Sequence, residues 1–565
     1  MSPKSLPHKA NEGAAMTETY DVVIVGYGPV GQMLALKLGQ AGHSVVCVER
    51  WKDPYGLPRA VHFDHEIARV FKSVGLDSRT NPIIDEYDDT YRWVNADKEI
   101  LLDLPWRGIG PSGWQTANFF SQPQLEAELD SYVRDFATID VIRGWEVQEL
   151  DEDADGVTVT ARAMRPEDAG AVSTRTFRGQ YVVGCYGANS FVRRWLKAEM
   201  HDRGFAFDWL IVDMISDEPM TFEPPAWQWC NPTAPTTIVP GGPGRRRWEF
   251  MRLPDETIEQ LITTETAWKR MEPWRLTPDN SVLERHAVYT FRAMWAEPEQ
   301  WRKGRVLIAG DAAHLTPPFA GQGMCAGIRD AQNLSWKLHA VLAGRSPDTL
   351  LDSYGPERSN NMQYWINFAV GLGEVICVQD AEAAAQRDAA MKAAIADPSL
   401  APPPPTPPTL TAGVIGSHPL AGHLSHQYRV QRGDTTDYFD HVAGYGWAVV
   451  SRAGAPAHEL TPQTLAWAQA NGVILAAVGG EGADLVDADG GYAAWFDEID
   501  ADFVVLRPDF YIYDAGRAGS LEPVLGTLRR VLDGGVAPGG SADAGVADGG
   551  LADGGVVNGG ALVAG

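Results

Sequence analysis

The stretch YDVVIVGYGPVGQMLALKLGQAGHSVVCVER, residues 20–50, constrains this chain more than any other. An apolar run breaks at Gly26-Tyr27-Gly28, a segment with Leu34, Leu38 and Ala41 on one helical face follows, Gly42 stops it, and a second apolar run ends in Glu49. Strand, glycine loop, helix and strand in that order open a doubly wound α/β domain. Gly26, Gly28 and Gly31 form G-x-G-x-x-G: the first permits a tight turn, the second lets the backbone approach a pyrophosphate, and the third lets helix pack on strand. The helix N-terminus then faces the phosphates. Glu49, roughly 20 residues on, can accept both ribose hydroxyls of an adenosine, and an acid there disfavours a 2′-phosphate. The expected ligand is a dinucleotide of the FAD or NAD type.

A second fingerprint chooses between them. In RVLIAGDAAHLTPPFAGQGMCAGIRDAQNLSWKL a buried strand ends at Gly310-Asp311, and after Pro317-Pro318 the loop Gly321-Gln322-Gly323 opens a long helix. Asp311 can hold a ribityl chain, and helix-terminal N–H groups suit the ring edge that becomes negative when a flavin is reduced. Between the two lies GCYGANSFVRR, residues 184–194. Together these motifs resemble the single-component FAD-dependent aromatic hydroxylases, the family of para-hydroxybenzoate and phenol hydroxylases, over about residues 20 to 360. RAVHFDHEIARVFKSVGL, NFFSQPQLEAEL and RRRWEFMRLP resemble the subgroup acting on 3-(3-hydroxyphenyl)propionate.

The resemblance implies that Arg50, Arg59 and Gln122 join Gly26, Gly28, Gly31, Glu49, Gly310 and Asp311 as FAD contacts, with Ala312, Pro318, Gly321, Gly323 and Met324 against the isoalloxazine. It also implies an aspartate where this chain has Tyr186. If that aspartate helps to orient Arg59, Arg193 and a passing nicotinamide cofactor, Tyr186→Asp should speed flavin reduction; the alternative is that Tyr186 has a partner of its own.

The implied fold is a Rossmann-like FAD-binding domain with an inserted β-sheet substrate domain and a C-terminal thioredoxin-like domain. The expected divisions are a flexible leader (1–16), the first part of the FAD domain (17–200), the substrate sheet (201–300), the return of the FAD domain with its helices (301–399), a Pro-rich linker (400–430), the thioredoxin-like domain (431–532) and a disordered Gly/Ala/Asp-rich tail (533–565). Prolines in LAPPPPTPPTL exclude helix and central strand. The last cysteine is Cys377, so the C-terminal domain has no dithiol chemistry and is expected to be a structural or dimer-contact appendage.

Residues 201–300 carry strand-like runs with Trp227, Trp229, Trp248, Tyr289, Phe291 and Trp295. Most should be core and a few should face a planar substrate. Arg245, Arg246, Arg247 and Arg292 are candidates to pair with a substrate carboxylate. A phenol reacts best with electrophilic oxygen as its phenolate, so a hydrogen-bonding base is useful, and His62, Asp64, His286 and Tyr289 are the candidates. The expected reaction adds a hydroxyl ortho to an existing one using NADH or NADPH and O2, on a 3-(3-hydroxyphenyl)propionate-like acid. The rivals are hydroxylation of a larger phenolic or polyketide, and a flavin-binding protein impaired by Tyr186.

Composition narrows the partners. With 47 Lys and Arg against 74 Asp and Glu, the net charge of −27 repels nucleic acid and anionic membranes. Five scattered cysteines without C-x-x-C argue for a reducing compartment and against a metal site. No apolar leader or span is apparent, so a cytoplasmic protein, possibly a homodimer, is expected. Neither H-E-x-x-H nor G-x-S-x-G occurs.

Overall fold

The computed structural model describes residues 18–534 apart from 55, 57–58, 166–172, 219, 402–406 and 480–482. The expected leader, most of the expected tail and the centre of the proline run lie outside the described residues.

Glu18–Val25 forms the middle of the first sheet, paired in parallel with Thr174–Gly184 on one side and Val45–Glu49 on the other; Val306–Ile308 and Ile139–Arg143 extend it. Val22 to Val25 are wholly buried, as an unbroken apolar run requires when both faces of a parallel sheet are covered. The register aligns Val25 with Gly184 and Gly184 with Ile308, so three strands finish at one edge. The loops that follow them gather at that edge, where doubly wound sheets bind ligands. The helices Pro29–Gln40 and Gly323–Leu342 pack against each other and start there.

The second sheet runs in the order His314–Leu315, Ser281–Ala296, Met200–Ser216, Arg246–Met251, Thr236–Pro240, Ala226–Trp229, Asp89–Val94, Ile100–Trp106. This corrects the expected boundary at 201–300. Asp89–Val94 pairs in parallel with Ala226–Trp229, a contact across more than a hundred residues that no local pattern announces. One face buries Leu210, Val212, Ile238, Trp248 and Phe250 against Leu261, Ala267 and Met271. The other face looks toward the dinucleotide edge.

A third sheet, ordered Thr435–Tyr438, Arg429–Arg432, Leu485–Asp487, Ile474–Gly479, Ala448–Ser451, Phe503–Leu506, Ile512–Gly516, forms the thioredoxin-like layer. It is more than an appendage. Arg507 bonds Glu357 (2.6 Å) and Asp509 (2.7 Å), Lys337 bonds Glu357 (2.8 Å), and Arg69 bonds Asp440 (2.6 Å), all of them buried. The 400–430 segment also departs from an open linker beyond residue 406: Leu410 and Ile415 bury against Tyr511, and the Val414 N–H donates to Glu357 (2.7 Å). Apolar residues interspersed after the prolines give that stretch something to bury. No helix among the described residues is long and apolar enough to cross a membrane.

Candidate active site

A cavity of roughly 760 Å³ runs from the glycine loop to the inner face of the second sheet. Its dinucleotide half is lined by Gly26, Gly28, Glu49, Arg50, Arg59, Gln122, Tyr186 and Asp311, and its middle by Pro318, Gly321, Gly323 and Met324. Gly31 stands behind the loop, where an added Cβ would lie 2.2 Å from the Gly26 carbonyl oxygen. Gly310 and Ala312 sit just under the lining, and Arg193 donates to the Ala312 carbonyl at 3.2 Å.

The polar groups fit FAD. Glu49 is held by the backbone N–H groups of Tyr27 and Trp51, each at 2.9 Å, which fixes its carboxylate at the end of its strand. Gln122 accepts from the Ala60 N–H (2.9 Å) and donates to Glu126 (2.7 Å), pinning the loop that carries Arg59. Arg59 approaches Asp311 at 3.9 Å. Both helices that begin at the cavity, with Gly28 and Gln322 as N-caps, lack a side-chain cap, so first-turn N–H donors remain for a ligand.

Tyr186 has its own partners. Its hydroxyl donates to Glu146 (3.2 Å), and the Arg50 guanidinium lies 4.7 Å above its ring and 4.9 Å from that of Trp51. Burial raises its phenol well above the ordinary range. These contacts favour the alternative in which Tyr186 has a partner of its own; Arg59 meets Asp311 at 3.9 Å, and Arg193 is held by the carbonyls of Ala188 and Ala312. Tyr186→Asp deletes the ring beneath Arg50 and brings a carboxylate toward Glu49 and Glu146. It should weaken FAD binding roughly five- to tenfold, the size of a partly desolvated cation–π contact, without accelerating flavin reduction. Titration of apoprotein with FAD and stopped-flow reduction check the two halves.

The sheet half is built by alternation. In Arg246–Met251, Trp248 and Phe250 go to the back core while Arg247, Glu249 and Met251 take the other face. Glu249 is registered with Ile211 on one side and Thr237 on the other, and all three line the cavity. Tyr91, Trp106, His62, Phe119, Tyr289 and Phe291 complete the wall. Arg247 bonds Asp213 through two nitrogens (2.7 and 2.9 Å), and Arg285 reaches the same carboxylate at 2.9 Å. Burial pushes the Glu249 carboxyl up to about 7, against the opposing pull of Arg247.

Of the expected bases, His62 and Tyr289 reach the cavity and Asp64 and His286 do not. Asp64 caps the helix His65–Lys72 and bonds Arg329 (2.5 Å) and Gln322 (3.0 Å). Burial opposes its ionisation, but Arg329 outweighs that and holds the carboxyl far below the ordinary range. His286 has the parity of the opposite sheet face and bonds the Ile262 carbonyl at 3.1 Å. His62 stacks on Trp106, ring centroids 4.9 Å apart, and burial lowers it to about 4. Arg245 is engaged by Glu284 and Arg246 by the Pro225 carbonyl, both outside the lining, while Arg292 lines the cavity from an exposed position. Sequence reasoning missed Glu249, Tyr91, Thr237 and Trp106. The alternation in RRRWEFM carried a signal for Glu249; the other three depend on strand pairing.

A family model described as FAD binding domain matches residues 19–369, and one described as HcaD C-terminal domain matches residues 422–531. The chain is 37% identical over 541 residues, 94% of its length and 97% of the relative's, to "Probable NADH-specific resorcinol 4-hydroxylase" of Rhodococcus jostii (strain RHA1). It is 33% identical over 520 residues, 86% of its length and 88% of the relative's, to 3-(3-hydroxy-phenyl)propionate/3-hydroxycinnamic acid hydroxylase of Mycobacterium avium (strain 104). A crystal structure of aklavinone-11 hydroxylase with FAD and aklavinone shares the fold, with TM-score 0.71 and 22% identity over 92% of this chain and 100% of that one. The chain belongs to the FAD-binding-domain family and is an FAD-dependent aromatic hydroxylase, a flavoprotein monooxygenase.

Proposed function

We propose that this enzyme uses a reduced nicotinamide cofactor and O2 to hydroxylate a small phenol ortho to its hydroxyl, and that the preferred phenol carries a second hydroxyl in place of a carboxylate. The supporting observation is the sheet half of the cavity. Its buried guanidinium, Arg247, is committed to Asp213, and the group beside it is an acid, Glu249. A substrate carboxylate brought there would meet that acid where the adjacent guanidinium is already paired, whereas a phenolic hydroxyl can donate to it. The relative matched over nearly the whole chain is named for resorcinol and for NADH, which agrees with this choice.

FAD, when bound, would supply the hydride-accepting and oxygen-transferring chemistry. The chain's own residues bind and orient. Gly26, Gly28 and Glu49 would hold the pyrophosphate and ribose, Arg59 and Asp311 the middle of the dinucleotide, and the N-terminal turn of Gly323–Leu342 the ring edge. Trp106, Phe119 and Phe291 exclude water from a planar substrate.

A hydroxyphenylpropionate is the second reading, because Arg292 lines the cavity from an exposed position and would suit a carboxylate reaching outward. Turnover of resorcinol and of 3-(3-hydroxyphenyl)propionate, each with NADH and NADPH and with products identified by mass spectrometry, separates the two. The expected result is kcat/KM at least about tenfold higher for resorcinol, equivalent to ~1.4 kcal/mol in barrier. The opposite order assigns the carboxylate to Arg292.

A further inference from the structure

We propose that Glu249 is the proton acceptor for the substrate's phenolic hydroxyl, with Arg247 balancing the phenolate that results; this rests on the reading of the enzyme as a phenol hydroxylase. Strand parity places Glu249 on the cavity face between Ile211 and Thr237, and its residue is only 8% exposed. Among the described residues its one ionic neighbour is Arg247 Nη1 at 3.7 Å, beyond hydrogen-bonding range. Among the described residues no hydrogen bond reaches the Glu249 carboxylate. The hydroxyls of Tyr91 (3.1 Å) and Thr237 (2.7 Å) are turned elsewhere, both donating to Gln228.

The charges around it close. Arg247 stands beside Glu249 on the same strand (3.7 Å), and Asp213 is the charged group nearest it from Met200–Ser216; Arg285 joins through Asp213 (2.9 Å) with Glu284 3.5 Å from it, while Tyr91, Tyr289 and His62 line the same cavity. While Glu249 is ionised, the three guanidinium groups of Arg245, Arg247 and Arg285 balance the three carboxylates of Asp213, Glu249 and Glu284. When a phenol binds, its O–H bond breaks, the proton goes to a Glu249 oxygen, and the electron pair stays on the phenol oxygen. The cluster of Arg247, Arg285 and Asp213 is then left with one positive charge beside the new phenolate, in a site where water does not screen it. Burial has already raised the acid to about 7, close to the value a general base needs at neutral pH. His62, lowered to about 4, has too little basicity for the same step.

The first test uses the FAD-loaded full chain and 4-nitrophenol, which is largely anionic at about pH 8. Binding of that anion beside an ionised Glu249 should draw about one proton from a weakly buffered solution containing an indicator dye, and Glu249→Gln should draw none. Binding of 4-nitrophenol to the wild type without proton uptake overturns the assignment, whether or not the variant folds. The second test is turnover. At pH 7 Glu249→Gln should lose about a hundredfold in kcat/KM on resorcinol, the low end for general-base catalysis, and the deficit should close as pH rises toward the phenol's own ionisation range. Glu249→Asp should keep the acid limb near neutrality. An equal loss at every pH marks Glu249 as merely structural and overturns the proposal. If the wild type hydroxylates no phenol at all, the functional reading falls, and proton uptake still decides the role of Glu249.

Discussion

Gly28→Val should purify folded and colourless. The Gly28 backbone has φ of −80° and ψ of −172°, an extended conformation open to valine, and a Cβ built on it meets no protein atom within 4 Å. Nothing in the polypeptide resists the side chain; what it occupies is the cavity space through which a pyrophosphate reaches the first turn of Pro29–Gln40. FAD affinity should fall at least about a hundredfold, ~2.8 kcal/mol, while far-UV circular dichroism of the apoprotein stays that of the wild type. Gly31→Val is the contrast. Its Cβ would stand 2.2 Å from the Gly26 carbonyl oxygen, so that variant should be lost to misfolding before cofactor binding can be measured. A yellow, stoichiometrically loaded Gly28→Val would remove the glycine loop from the cofactor site.

The second large effect belongs to the contact between the cofactor domain and the thioredoxin-like layer. Arg507 donates to Glu357, to both oxygens of Asp509 and to the Val414 carbonyl, and it is fully buried with its partners. Arg507→Met leaves two buried carboxylates with Lys337 as the remaining paired cation and only neutral donors from Asn333, Trp336 and Val414, and breaking a buried pair in this way costs roughly 3–5 kcal/mol. The expected readout is a marked fall in Tm with FAD bound, together with faster proteolysis around residues 407–430. Its pH dependence has a definite sign. Burial opposes ionisation of Glu357, but Arg507 and Lys337 outweigh it and hold the folded carboxyl far below its ordinary 4.5. A carboxyl depressed in the folded state contributes stability above its unfolded value and loses that contribution as pH falls through the folded one. The Tm gap between wild type and Arg507→Met should therefore be full near neutrality and narrow below about pH 4.5. A gap that widens in acid would mean that Glu357 is not the group the arginine stabilises.

Legibility differed between the two halves of the site. YDVVIVGYGPVG and VLIAGD are local: five or six residues set the strand, the glycines set the turn, and the ligand meets the backbone itself. Most of the residues named from those motifs line one cavity in the folded chain. The base candidates fared differently. Asp64 is a candidate base in the sequence, yet Arg329, more than 250 residues away, claims it. Tyr186 departs from the motif that its loop resembles, whereas Arg50 and Glu146 give the ring a place of its own.

By itself, then, the sequence determined the class of fold, the flavin and the edge of the sheet where it binds, because glycine conformational freedom and strand and helix periodicity act over a few neighbouring residues. Tertiary structure alone decided which acids and cations face the substrate. Asp213 neutralises Arg247, Gln228 takes the hydroxyls of Tyr91 and Thr237, and Glu249 is left facing the cavity. Those outcomes depend on which strands lie side by side. A charged side chain's role is set by what shares its low-dielectric surroundings, and that company is assembled from distant parts of the chain.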